Sequence, residues 1–223
     1  MRQKLLVLFS LVSLLSFGQG TITTSPPLTP NNGQSGGTFA VSSNTPTEIT
    51  GISNIFSTGA TSASVWVRVG GVDGPPTINT ANGWQEIIVN ATLTGANNTS
   101  LVAIPFGGTV INIPANTPVG IHIAGNTRYQ TGTAADVVTH TDGTFTVSTA
   151  DSVSYGGAAP NPTFNPRRFL GSVTYALGIS GGCANLFSNF SVDSIATDSA
   201  QINWIPGTGN SGYRIEYGPI GFA

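Results

Sequence analysis

The chain has 223 residues, 39% of them hydrophobic and only 7% charged, with seven Lys plus Arg against nine Asp plus Glu and a net charge of -2. So sparse a charge excludes the basic stripe that a nucleic-acid backbone or an anionic lipid surface demands; the one adjoining pair of cations is Arg167-Arg168. The apolar content suffices for a core, and 29 Gly and 14 Pro cut it into short runs, so the composition points to a folded all-β protein.

At the N-terminus, Arg2 and Lys4 precede an apolar run of about eleven residues, Leu5 to Leu15, followed by Ser16-Phe17-Gly18 with small residues where a signal peptidase reads. The run is shorter than the roughly 20 residues that span a bilayer, and no later segment is long and apolar enough. Residues 1–20 therefore read as an export signal, with the mature chain beginning near Gln19 or Thr21 and secreted or held at a cell surface. Membrane insertion is not expected.

Residues 21–178 read as one domain. Thr21 to Ser35, rich in Pro, Thr and Asn, is expected to be an extended leader. Strand-length runs follow at Gly37 to Ser43, Glu48 to Phe56, Ala63 to Val69, Trp84 to Leu93, Ser100 to Phe106, Thr109 to Ile113, Val119 to Ala124, Thr144 to Ser148 and Phe169 to Leu177. Turn residues such as Thr58-Gly59, Asn82-Gly83, Gly107-Gly108 and Asp142-Gly143 separate them. The connections Gly70 to Gly83, Gly125 to Gly143 and Gly156 to Arg168 exceed hairpin length, so they cross between sheets or fold over a face. Long crossings in an antiparallel set predict a jelly-roll or Greek-key sandwich. A domain of this size closes a core without covalent staples, and Cys183, the single cysteine, has no partner in the chain.

Chemistry-bearing residues are few. Leaving aside Asp193, Asp198 and Glu216 near the C-terminus, six carboxylates remain. A glycosidase pair would have to be Glu48 with Glu86, and the alternative is isolated carboxylates on solvent faces. His122 and His140 are the two histidines, and no nucleophile elbow or triad partner set accompanies them. No enzyme activity is expected. Asp136, His140 and Asp142 fall within seven residues, so Asp136 and Asp142 are the candidate ligands of a structural calcium ion; the competing reading is a turn built on Asp142-Gly143. No other cofactor is implied. His122, between Ile121 and Ile123, should point away from the face they bury and reach solvent.

Aromatic side chains offer the better lead, since sugar rings lie on exposed Trp or Tyr faces. In Val65 to Val69 the three valines share one face, leaving Trp66 and Arg68 on the other. If that face is open, the two form a stacking and hydrogen-bonding pair; if the sheet is covered on both sides, Trp66 is buried. Tyr129 and Tyr155 fall in or beside loops and are expected to be free for a ligand. Trp84, after an Asn-Gly turn, is expected to close one end of the core.

After a linker at 179–186, residues 187–223 show three period-2 runs: Phe190 with Val192, Ala200-Gln201-Ile202-Asn203-Trp204, and Tyr213-Arg214-Ile215-Glu216-Tyr217 before Gly218-Pro219. This order, with Trp204 closing the second run, resembles the opening of fibronectin type III domains. The resemblance implies an incomplete fibronectin type III-like sandwich whose later strands lie beyond residue 223. In the first domain, Val65-Trp66-Val67-Arg68-Val69-Gly70, Gly83-Trp84-Gln85-Glu86-Ile87, the run from Ile111 to Ile123 and Asn165-Pro166-Arg167-Arg168-Phe169-Leu170-Gly171 resemble jelly-roll modules of uncharacterised secreted bacterial proteins. That resemblance implies no activity. Together these readings describe a non-catalytic extracellular module for adhesion or for binding a glycan or surface protein. The alternatives are the accessory front of a secreted hydrolase and a structural spacer.

Overall fold

The computed structural model describes residues 18–24, 29–133, 138–150, 152–178, 187–193 and 201–206. The chain divides into two compact units, Met1–Ile179 and Ser180–Ala223.

The first unit is an all-β sandwich whose named strand pairs are all antiparallel. Its strands are β1 (Gln19–Thr23), β2 (Asn32–Ser43), β3 (Thr47–Ile55), β4 (Gly59–Val69), β5 (Gln85–Gly95), β6 (Leu101–Ala103), β7 (Ile111–Ile113), β8 (Val119–Thr131), β9 (Thr139–Thr141), β10 (Phe145–Ser148), β11 (Arg167–Phe169) and β12 (Gly171–Leu177). One sheet runs β1-β12-β3-β6, with β7 also on β3; the other runs β5-β4-β8-β2-β10-β9, with β11 on the far end of β8. Alternation decides which residues meet between the sheets. Phe39, Val41, Val65, Val67, Ile121, Ile123, Phe145 and Val147 from the larger sheet pack on Ile22, Ile49, Ile52, Val173 and Tyr175 from the smaller. Phe39 stacks on Phe169 with ring centres 4.0 Å apart, and Phe145 stacks on Tyr175 at 4.6 Å.

Every predicted run of this unit falls on a strand, but β1, β9, β11 and the start of β2 were not anticipated: β1 and Asn32–Ser35 of β2 lie in or beside the expected leader, and β9 and most of β11 in expected connections. β8 likewise continues to Thr131. The reason is tertiary. Asn32-Gly33-Gln34 has no apolar periodicity, yet it hydrogen-bonds along Thr127–Tyr129 of β8, and a ladder needs backbone, not hydrophobicity.

The larger sheet is covered on its outer face too. Ala40, Val72, Ile78, Trp84 and Tyr155 form a second apolar cluster there, with Trp66, Val153 and Ala159 packed against it. Where β10 ends, the chain continues beside β2: Thr38 N donates to Tyr155 O at 2.7 Å, and Gly157 N donates to Gly36 O at 2.9 Å. Residues 70–84 close from the other side, and the two segments join where Ile78 N donates to Pro160 O at 2.7 Å. Trp84 therefore belongs to this outer cluster, not to an end of the main core.

His122 lies beneath this cover, opposite Thr38 on β2 and Trp66 on β4. The expected solvent-facing histidine is instead 0% exposed, and neither ring nitrogen has a hydrogen-bond partner. The pleat does turn it away from Ile121 and Ile123; the face it reaches is simply not wet. Burial pushes its pKa down to about 3. The fit is tight enough that a methyl group on Gly36 would stand 2.7 Å from the imidazole Cε1 and from Gly157 O.

In the second unit β13 (Phe187–Asp193) pairs antiparallel with β14 (Gln201–Pro206). The expected third run, Tyr213 to Tyr217, lies outside the described residues.

Candidate functional site

The side chains singled out from the sequence do not assemble into one site. Trp66 is half-buried in the outer cluster, as the covered-sheet alternative requires. Arg68 is engaged: Nε donates to Asn82 O at 3.0 Å, Nη1 donates to Gly71 O at 3.1 Å, and Nη2 lies 3.6 Å from Asp73. This guanidinium ties down the 70–83 connection from both ends and is a structural clamp. Arg68→Ala is expected to lower stability by about 1 to 2 kcal/mol, because two loop carbonyls lose a charged donor. Asp73→Ala should change it by under about 0.5 kcal/mol, since the Asp73 side chain is 80% exposed. Urea melts of the two variants distinguish these roles.

Tyr129 and Tyr155 are each 3% exposed, which corrects their expected availability to a ligand. Tyr155 enters the outer cluster because residues 153–157 run as a surrogate strand along β2, and Tyr129 is packed at the end of β8 opposite Phe169 of β11. Neither presents a free ring.

Asp142 makes a turn. One carboxylate oxygen accepts from the amides of Thr144 and Phe145, both at 2.9 Å, and the other accepts from the Tyr175 hydroxyl. Burial alone would raise its pKa, but the Tyr175 hydroxyl and the two amides outweigh it, and the carboxyl sits below its ordinary value. The Tyr175 phenol is correspondingly pushed up to about 12 by burial and by that carboxylate. Asp136 lies outside the described residues. Among the described residues no group of three His, Cys, Asp or Glu is arranged to hold a metal ion.

Glu48 and Glu86 do not face each other across a cleft. Glu48, on the smaller sheet, is 1% exposed, which corrects the expectation of a solvent-facing carboxylate, whereas Glu86 is exposed on β5 of the larger sheet. A groove of about 430 Å³ beside the 143–146 turn is lined by Ser42, Ser43, Asn44, Asn116, Pro118, Gly143, Thr144 and Thr146, with neither carboxylate nor imidazole among them.

What the fold does bring together lies at the opposite end of β2 and β8. Gly156 and Phe164 exchange two backbone hydrogen bonds, at 2.8 and 3.1 Å, which close residues 157–163 into a loop and hold Phe164 at its base, 47% exposed. Arg167 follows on β11, its N–H donating to Ser154 O at 2.7 Å. Its guanidinium carbon lies 5.6 Å from the Phe164 ring centre and 5.8 Å from that of Tyr129, so the cation sits against an outer and an inner aromatic ring. Gly156 permits this closeness, since a methyl there would stand 2.9 Å from Arg167 Cγ and from the Tyr129 ring.

Arg128 completes the group. Its stem lies over Gly33 of β2. Asn54, Arg128, Tyr129 and Arg167 line one small cavity of about 10 Å³, room for about one water molecule. Asn54 Oδ1, Arg128 Nε and Arg167 Nε are all buried without a hydrogen-bond partner. Burial raises the Tyr129 pKa, and a hydrogen bond from the Arg167 side chain, followed by the Arg167 and Arg128 charges, acts against that rise. The sequence did carry a sign of this site: Phe164 is a lone aromatic in the polar stretch Pro160 to Asn165, three residues before the Arg167-Arg168 pair.

No family model matches the chain. No curated protein matches it either. Among solved structures it is similar to the infectious bursal disease virus VP2 subviral particle at 11% identity and a TM-score of 0.18, covering 73% of this chain and 39% of that one. A likeness at that score carries no argument about this protein.

Proposed function

We propose that the first unit is a non-catalytic binding module that holds a glycan at the Phe164–Arg167 end of the sandwich. One observation carries the reading: a half-exposed aromatic ring lies against a guanidinium on a loop whose base is closed by backbone hydrogen bonds. The pair expected at Trp66 and Arg68 is thus replaced by an equivalent pair on another element. An aromatic face takes the C–H face of a sugar while the adjacent cation donates to its oxygens. Exposed Asn31 and Thr131 at the neighbouring strand ends add neutral hydrogen-bonding groups, Thr131 N donating to Asn31 Oδ1 at 2.8 Å. A secreted or cell-surface setting, read from residues 1–20, and a fibronectin type III-like neighbour belong to the same proposal.

A glycan array probed with the full chain tests it. Signal is expected, with at least about a tenfold loss for Phe164→Ala, a change on an exposed ring that the fold tolerates. Val89→Ala, on the exposed edge strand β5, should leave it unchanged. A silent array, or Phe164→Ala binding as the parent does, overturns the proposal.

A further inference from the structure

We infer that the sugar bound at this end is acidic, its carboxylate received by Arg128 and Arg167. The inference rests on the binding reading above and names the ligand class of that site.

Arg128 and Arg167 both line one small cavity, and among the described residues neither forms an ion pair with a carboxylate. Placing two like charges together at a half-buried site is unfavourable unless an anion joins them. Each group also carries a buried Nε–H without a hydrogen-bond partner. Donors without acceptors are what a carboxylate oxygen satisfies, and hydrogen bonds from Arg to an ionised acceptor are the strong ones. The cavity has room for one oxygen atom, suiting a flat carboxylate with one oxygen inside and one toward solvent. Asn54 Oδ1 lines the same cavity as an acceptor and gives the carboxylate no bond. Phe164, outside Arg167, takes the ring that bears the carboxylate. A hexuronate unit has this disposition: a C–H face, a ring of hydroxyls and a carboxylate at its edge.

The test uses the full chain with trigalacturonate, its fully methyl-esterified form and acetate, each titrated by calorimetry and by NMR of the arginine Nε–H signals. The acid trimer should bind about tenfold tighter than the ester. Its advantage should shrink as salt rises from about 20 to about 300 mM. It should also shift the Nε–H signals of Arg128 and Arg167, with the ester leaving them in place. Arg128→Gln should bring acid and ester to about equal affinity, whereas Phe164→Ala should weaken both alike. The Nε–H readout on the unsubstituted protein decides the matter if Arg128→Gln does not fold. Equal affinity for acid and ester in the parent overturns this inference and leaves the glycan reading standing. Binding of neither trimer overturns this inference, and the glycan array then decides the glycan reading by itself. The same shifts from acetate at equal concentration overturn the assignment to a sugar and identify a site for free carboxylates.

Discussion

His122→Leu is expected to make the protein more stable at pH 7 and to make the gain grow steadily as the solution is acidified. At neutral pH the native imidazole is uncharged but has two buried nitrogens without partners. Replacing it with an apolar side chain of similar bulk removes that desolvation penalty, a gain of about 1 to 3 kcal/mol. The acid limb is larger. The unfolded chain takes up a proton on this residue near pH 6.5, whereas the folded chain resists until about pH 3. A depressed imidazole pKa means that the unfolded state binds more protons between those values. The stability that His122 leaves intact above pH 6.5 is therefore lost progressively as pH falls toward 3, by on the order of 5 kcal/mol in full. Asp142, whose carboxyl is held below its ordinary value, contributes a further acid loss, but it is common to both proteins and cancels in their difference. Urea denaturation of parent and variant at pH 7, 5 and 4 measures the effect. A stability difference that does not widen on acidification would show that the imidazole is solvated or paired in solution.

Phe39→Ala should be comparably severe, with the opposite sign. Phe39 is 0% exposed, stacks on Phe169 and belongs to the core between the two sheets. Truncation removes the transfer free energy of a benzyl group and leaves a void that paired strands cannot collapse to fill, for a loss of about 3 to 5 kcal/mol. That is a large part of the 5 to 15 kcal/mol typical of a whole domain. For a domain of this size it corresponds to a fall in Tm of roughly 10 °C or more. Calorimetry or thermal circular dichroism reads it directly, and a fall under about 3 °C would mean that the stacked pair does not carry the core. Phe39→Leu, which keeps most of the volume, should recover more than half of the loss.

The strands were legible where alternation was strong. Val65-Trp66-Val67 could only be a strand with its small apolar residues on one side, and the core contains Val65 and Val67 as that pattern requires. Val69, on the same face by parity, is 59% exposed because it stands at the strand end, where parity continues and the sandwich does not. The errors at His122 and Tyr155 share one cause. Each followed from treating the face opposite the core, or a loop, as wet, whereas residues 70–84 and 152–166 cover the larger sheet without any periodic pattern to announce it. Arg68 shows the same blind spot from the other side: the residue type was right for recognition, but its partners are loop carbonyls that no spacing rule reveals. The Phe164–Arg167 pair escaped notice because loop contacts are created by the backbone bridge to Gly156, not by a repeat.

The position of β12 has a consequence for the order in which the molecule comes together. It is the last strand of the first unit, yet it lies in the middle of the smaller sheet, between β1 and β3, which do not pair with each other. The hydrogen bond between Thr21 and Thr174 spans 153 positions. A chain lacking residues 171–177 can still pair β3 with β6 and β7, but β1 has no neighbour in the sheet and Val173 and Tyr175 are missing from the core until the final strand arrives. Such distant pairing makes folding slow and concentrates it into one late, cooperative step. The interval of greatest vulnerability to aggregation is the one just before that strand inserts.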